Sequence, residues 1–244
     1  MVNIGEGDVW RPFTLLGFTH SFFDINIETV THTWVVLIIL FLLVLPIKGL
    51  LRNRYGATYI SLSLFINSFK DLVTETLSIF NFNHFCFITS LFCFILLCNI
   101  ISVIPFMEEP TKDPNTTICL ALISFVYVQF HAIRAHGLWG YIKEFFNPFF
   151  IMLPLNIIEK LATVVSMSFR LFGNIFGGSI ISHIYFGALK SISTYTTAVL
   201  IELMCSGVSL AIVLFFGLFE GFLQAFVFAM LSLTYLGLEL QKES

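Results

Sequence analysis

The chain has 244 residues, 57% hydrophobic and 11% charged, with a formal net charge of −3 and a mean hydropathy of +0.93. Soluble domains carry about 25% charge, so this composition excludes a water-soluble globular fold and points to a lipid bilayer as the solvent. No basic cluster with interleaved aromatics is present, which removes nucleic acid as a partner, and the length accommodates roughly five or six spans of about 20 residues in a single membrane domain.

In chain order, residues 1–30 are polar and mixed in charge (Glu6, Asp8, Arg11, Asp24, Glu28), unlike a signal peptide, and read as an outer surface segment. A first span is expected over about Thr33–Leu51, kinked at Pro46 and followed by Lys48, Arg52 and Arg54. Tyr59–Phe80 mixes apolar residues with Lys70, Asp71 and Glu75 and predicts an interfacial amphipathic helix, the alternative being a polar span packed among other helices. The first span and this helix make up residues 31–82, and a helical hairpin is expected over 83–136. Its spans are about Phe85–Phe106 and Thr117–Ile133, joined by an acidic loop at Glu108–Asp113.

Two longer apolar segments follow within 149–240. Phe149–Tyr185 runs for roughly 37 residues and Ser193–Leu238 is longer, whereas about 20 residues cross a ~30 Å hydrocarbon core at 1.5 Å each. Neither contains a polar turn, so each is expected to be one steeply tilted helix rather than two spans. Lys48, Arg52, Arg54, Lys70, Arg134, Lys143 and Lys242 then share one side, against Arg11, Lys112 and Lys190 on the other. That asymmetry predicts five crossings, with the N-terminus outside and the C-terminus inside. The five cysteines form no CxxC pair and read as small buried apolar residues.

Ionisable groups within spans are costly, and each is a functional hypothesis. Arg170 stands in mid-segment with no acidic residue three or four positions away, and its charge is permanent. Thr163, Ser166, Met167, Gly173, Asn174, Gly177 and Gly178 share its helical face, mostly small residues that permit close approach of a partner helix. An ion pair with Glu202 or Glu220 inside the fold is the alternative. Glu159 lies 11 residues earlier on the same face, about 16 Å away. In the last segment Glu202, Ser206, Ser209, Glu220 and Gln224 form a polar stripe, suited either to a water-filled path or to a hydrogen-bonded helix seam. His183, nearly four turns beyond Arg170, is a candidate proton relay or a simple hydrogen-bonding residue. Lys160 is expected to snorkel to the inner interface.

The stretches Pro154–Glu159 and Ser166–Gly178 (SMSFRLFGNIFGG), then Leu223–Phe228 and Thr234–Leu236, resemble the signature of ATP synthase subunit a, as does Asp113–Thr117. The resemblance covers about the last 150 residues in order and spacing. It implies that Arg170 faces a rotating c-ring, that Asn174 and Gln224 are polar partners near it, and that Glu159 belongs to an inner half-channel. It also implies a tilted hairpin against the ring. Many family members carry a titratable residue nine positions after the arginine and another seven before the glutamine. Here those positions are Ser179 and Gly217, which leaves His183, Glu202 and Glu220 as the expected outer relay.

The resulting expectation is an all-α membrane protein with two half-channels, partnered by the c-ring, peripheral-stalk subunit b and the bilayer. A bacterial inner membrane is the expected setting, an organelle's inner membrane being the alternative, with no cofactor, metal or nucleotide bound. No GxxxxGK[ST] phosphate loop occurs. A secondary transporter using Arg170 to bind an anion would show internal repeats and paired broken helices, and an intramembrane enzyme would show a nucleophile–base pair or a metal motif. Neither pattern is found.

Overall fold

The computed structural model describes residues 9–10, 25–47, 49, 56–103, 107, 109–145, 151, 153–193, 207–208, 210–212 and 214–241. Apart from a two-residue antiparallel pair, β1 (Val9–Trp10) with β2 (Ile25–Asn26), the described elements are helical. They are α1 (Ile27–Val44), α2 (Ala57–Leu77), α3 (Phe82–Ile100), α4 (Pro114–Phe145), α5 (Leu153–Ser193), a π-helical segment (Leu214–Glu220) and α6 (Gly221–Gln241). Five stretches are long and apolar enough to cross a membrane: 27–44, 82–100, 114–143, 153–188 and 210–241.

Local chemistry accounts for the boundaries. The Asn26 side chain accepts from the Glu28 amide at 3.1 Å and starts α1 six residues before the apolar run at Thr33. Asn81 caps α3 by accepting from the Asn83 amide at 3.0 Å, and Asp113 does the same for α4 through the Asn115 amide at 2.9 Å. Pro114 follows directly, where its missing N–H costs nothing. The third span was expected to end near Ile133, but helical structure continues to Phe145 across a break at Gly137 (φ 74°, ψ 159°). Only glycine occupies that backbone region readily, so the chain turns there and resumes a helix.

Each packed helix buries one stripe. In α3 it is His84, Ile88, Leu91, Phe92, Ile95, Cys98 and Asn99, at the three- and four-residue spacing of an amphipathic helix. In α5 it is Val164, Met167, Ser168, Leu171 and Gly178. These meet Ala225, Phe228, Ala229 and Leu233 of α6 and Leu120 and Ala121 of α4 in one apolar core. Phe69 and Val73 of α2 join it, with the Phe69 ring tilted against Phe92 at 4.9 Å between centroids, while Lys70, Asp71 and Glu75 are exposed. The two-sided character expected of α2 is therefore present. By contrast α1 buries only Val36, against Cys98 and Ile101, and turns Trp34, Phe41 and Leu42 outward. Outward apolar side chains on a helix of this length suit contact with lipid tails.

Cross-helix contacts give the directions. Thr117 meets Ser168 at 3.1 Å and Lys160 meets Gln129 at 3.1 Å, so α4 and α5 are antiparallel. Asn174 meets Glu220 at one end and Lys160 meets Glu239 at the other, so α5 and the last segment are antiparallel too. With 41 residues, α5 is an unbroken helix of about 60 Å. This agrees with the expected single long helix. The residues joining it to the last segment lie outside the described ones.

Candidate functional site: a polar pocket, an exposed arginine and a polar inner cluster

At the end of the bundle that carries the Pro110–Lys112 turn, a cavity of about 230 Å³ opens between α3, α5 and the π-helical segment. That is far more than the ~10–15 Å³ one water requires. Asn99, Glu109, Lys112, Asn174, Ser179 and Ser182 supply polar groups to its wall, and Gly178, Gly217 and Gly221 leave it open. Its frame is hydrogen-bonded: the Asn99 amide donates to the Gly221 carbonyl at 3.0 Å, and the Thr111 hydroxyl donates to Asn99 Oδ1 at 3.1 Å. A Cβ on Gly221 would lie 2.9 Å from Asn99 Cβ, so only glycine lets α3 approach this closely.

Asn174 and Glu220 meet beside this cavity. With the amide oriented by its hydrogen-bond network, Asn174 Nδ2 donates to both carboxylate oxygens of Glu220, at 2.6 and 3.2 Å. The π-helical segment ends at Glu220. Its wider turn alters the register, so α-helical spacing does not carry a face unchanged through residues 214–220. Ser206, Ser209 and Glu202 lie outside the described residues. Gln224, one turn beyond Glu220, is half-buried. Ser179 lines the cavity, whereas His183 is exposed one turn further along and is not part of the wall.

Arg170 is exposed on α5, as are Ser166 and Glu159 on the same face. Among the described residues it has no ion-pair partner, and Glu220 is engaged by Asn174 instead. Met167 is buried rather than sharing the exposed arginine face: on one flank of α5 at this level, about 60–120° around the axis from Arg170, it joins Leu171 and Val164 in the apolar core. The two buried hydroxyl pairs within it, Thr117–Ser168 at 3.1 Å and Ser124–Ser232 at 2.7 Å, satisfy each other.

Beyond the core, towards the C-terminal end, a second polar group appears that the sequence reading missed. Lys160 is paired within the fold. Its Nζ lies 3.3 Å from Glu239 Oε2, 3.1 Å from Gln129 Oε1 and 3.2 Å from Tyr141 Oη, while His136 Nε2 bonds the Glu239 carbonyl at 2.7 Å. A lysine beside an apolar run has the same local signature whether it snorkels or pairs. Only the fold of α4 and α6 decides. Among the described residues no group of three His, Cys, Asp or Glu is placed to hold a metal.

The family described as ATP synthase A chain matches residues 30–237. The chain belongs to that family. It is 34% identical over 210 residues to ATP synthase subunit a of Moorella thermoacetica, covering 86% of this chain and 88% of the relative. It is 35% identical over 223 residues to that of Syntrophobacter fumaroxidans, covering 88% and 85%. A third relative, ATP synthase subunit a 3 of Pelobacter propionicus, is 28% identical over 236 residues, covering 93% and 96%. Family membership and the five apolar stretches together make the chain an integral membrane protein. Arg170, Asn174 and Gln224 lie inside the matched region.

Proposed function

We propose that the chain is the proton-conducting, non-catalytic subunit a of an F-type ATP synthase, in which Arg170 is the fixed charge between two offset half-channels. The observation that carries this reading is Arg170 itself. It is a permanent cation exposed on an apolar helix, level with the core and with no ion pair among the described residues. An arginine at mid-bilayer costs about 2.5–3.5 kcal/mol on insertion scales, and more without water or counter-ion. An acidic partner outside this chain, the carboxylate of a c-ring subunit, satisfies it.

The arrangement of polar ends supports the two paths. A proton from outside enters the cavity past Glu109 and Lys112, reaches the Asn174–Glu220 pair and neutralises a ring carboxylate. Neutral, that site turns into lipid without the penalty of a buried ion. After most of a rotation it meets the Glu159 face and releases the proton inward. Arg170 lowers the pKa of the arriving carboxylate and so favours its release of the proton. The apolar core keeps water in the outer cavity from reaching the inner end. Each elementary charge crossing 100 mV supplies about 2.3 kcal/mol to the rotor. In this reading the N-terminus is outside and the C-terminus inside a bacterial membrane, subunit b and the c-ring are the protein partners, and nucleotide chemistry takes place on other subunits.

The test uses membranes carrying Arg170→Ala in the assembled complex. ATP-driven proton pumping is expected to vanish while passive leak rises. Normal coupled pumping would remove Arg170 from the mechanism and the two-path reading with it.

A further inference from the structure

We infer that Lys160 and Glu239 form a positioning clamp that fixes the rotation of α5 about its own axis, and thereby the direction in which Arg170 and Glu159 point. The inference rests on the half-channel reading above and adds to it a pair outside the pocket and outside the arginine face.

The clamp is built from three helices. Lys160 belongs to α5 and Glu239 to α6, at 17% and 11% side-chain exposure. Gln129 and Tyr141 come from α4, one on each side of the break at Gly137. In an unbroken helix those two would stand about 18 Å apart and about 120° around the axis. The turn at Gly137 brings both to one ammonium, and Tyr141 Oη also donates to Gln129 Oε1. The three N–H donors of Lys160 thus face three acceptors, and the Tyr141 ring lies 4.5 Å from Nζ. A charge held this way has its direction set on several sides.

The consequence for α5 follows from helical geometry. Arg170 is ten positions beyond Lys160, about 80° short of three full turns, whereas Glu159 is about 20° from alignment with it. Holding Lys160 against α4 and α6 therefore turns the Glu159–Ser166–Arg170 face away from the bundle, and that face is exposed. Elsewhere α5 is held by the Thr117–Ser168 hydroxyl contact and by the approach of Gly178 to Phe216, where an added Cβ would sit 2.9 Å from the ring. Without the clamp the inner third of a 41-residue helix loses its ion pair to α6 and its contacts with Gln129 and Tyr141, and apolar contacts tolerate rotation better than a directional ion pair does.

The test compares Lys160→Gln, Glu239→Gln, Lys160→Arg and the exchanged pair Lys160→Glu/Glu239→Lys, with Arg170→Ala as reference, in membranes with assembled complex. Pumping and passive leak are read per assembled complex. Each single Gln variant is expected to lower pumping about tenfold, the scale on which small misplacements act, and to raise leak. Lys160→Arg and the exchanged pair are expected to recover most of the pumping. If a Gln variant does not assemble, the two charge-preserving variants decide. Recovery supports the clamp. Assembly without pumping in both overturns it, as does wild-type pumping and leak in Lys160→Gln. Loss of pumping in Arg170→Ala alongside an unaffected clamp series would sink only the clamp. Normal pumping in Arg170→Ala would sink the half-channel reading itself.

Discussion

At the residue scale the informative contact is Asn174 with Glu220, because it joins a motif residue to one outside the expected motif positions. Two donated hydrogen bonds hold a carboxylate beside a cavity with room for several waters. Asn174→Leu leaves that half-buried carboxylate without this donor, a loss below the about 1–3 kcal/mol of a fully buried polar group. The expected result is a fall of about tenfold in ATP-driven pumping, with the double variant Asn174→Leu/Glu220→Gln no worse than the poorer single. Such non-additivity is the mark of residues acting through one contact. Equal and additive losses, read in the same vesicles, would separate the two residues. Glu220 was legible in the sequence as an ionisable group inside a span, and Asn174 as part of SMSFRLFGN. Their pairing was not, since it depends on the register across the π-helical segment. For His183 the structure gives a smaller part than the expectation did: it is exposed beside the cavity wall rather than in it. His183→Ala is accordingly expected to reduce pumping less than Glu220→Ala.

At the element scale, spans were readable because hydrophobic length is a local property, and their starts moved by a few residues wherever a cap overrode the apolar pattern. Asn26, Asn81 and Asp113 all act this way. In the sequence the break in α4 shows only as Gly137 after Arg134 and His136, with Gly140, Lys143 and Glu144 following. What it accomplishes, the delivery of Tyr141 to Lys160, depends on contacts distant in sequence. Gly137 is therefore a place where backbone strain carries a consequence. A Cβ there meets nothing within 4 Å, so space is not the obstacle; φ of 74° is. Gly137→Ala forces a non-glycine residue into a sparsely allowed region at a cost of about 1–3 kcal/mol. The variant is expected to lower the thermal stability of the purified complex and to raise proton leak, following Lys160→Gln. Unchanged stability and leak would mean that the last turns of α4 do not need this geometry. Gly178 offers the contrasting case, in which close packing against Phe216, not dihedral angle, sets the requirement.

At the scale of the whole molecule, the polar groups divide into two sets separated along the bundle axis by a continuous apolar core. Asn99, Asn174, Ser179 and Glu220 stand on one side of it, and Gln129, Tyr141, Lys160 and Glu239 on the other. Val164, Met167, Leu171, Phe228 and Leu233 lie between. A continuous pore would need a polar path through that layer, and the buried hydroxyls of Thr117, Ser168, Ser124 and Ser232 there are already paired with each other. Water access should therefore stop at the core. This separation is testable by replacing the native cysteines with alanine and placing single cysteines at Ser179, Ser168 and Ile180. All three lie on α5, but Ser179 lines the cavity, Ser168 is buried against Thr117, and Ile180 is exposed without lining the cavity. A membrane-impermeant maleimide is expected to label position 179 from the side bearing Lys112, and to leave 168 and 180 unlabelled from either side. Thiolate formation needs water, so exposure to lipid alone does not produce reaction. Labelling at 168 would place water inside the core and join the two polar sets into one path, leaving an unregulated leak where the proposed mechanism needs a barrier. Labelling of 179 from the opposite side alone would reverse the membrane orientation while keeping the barrier, because the cavity and the core would still be distinct.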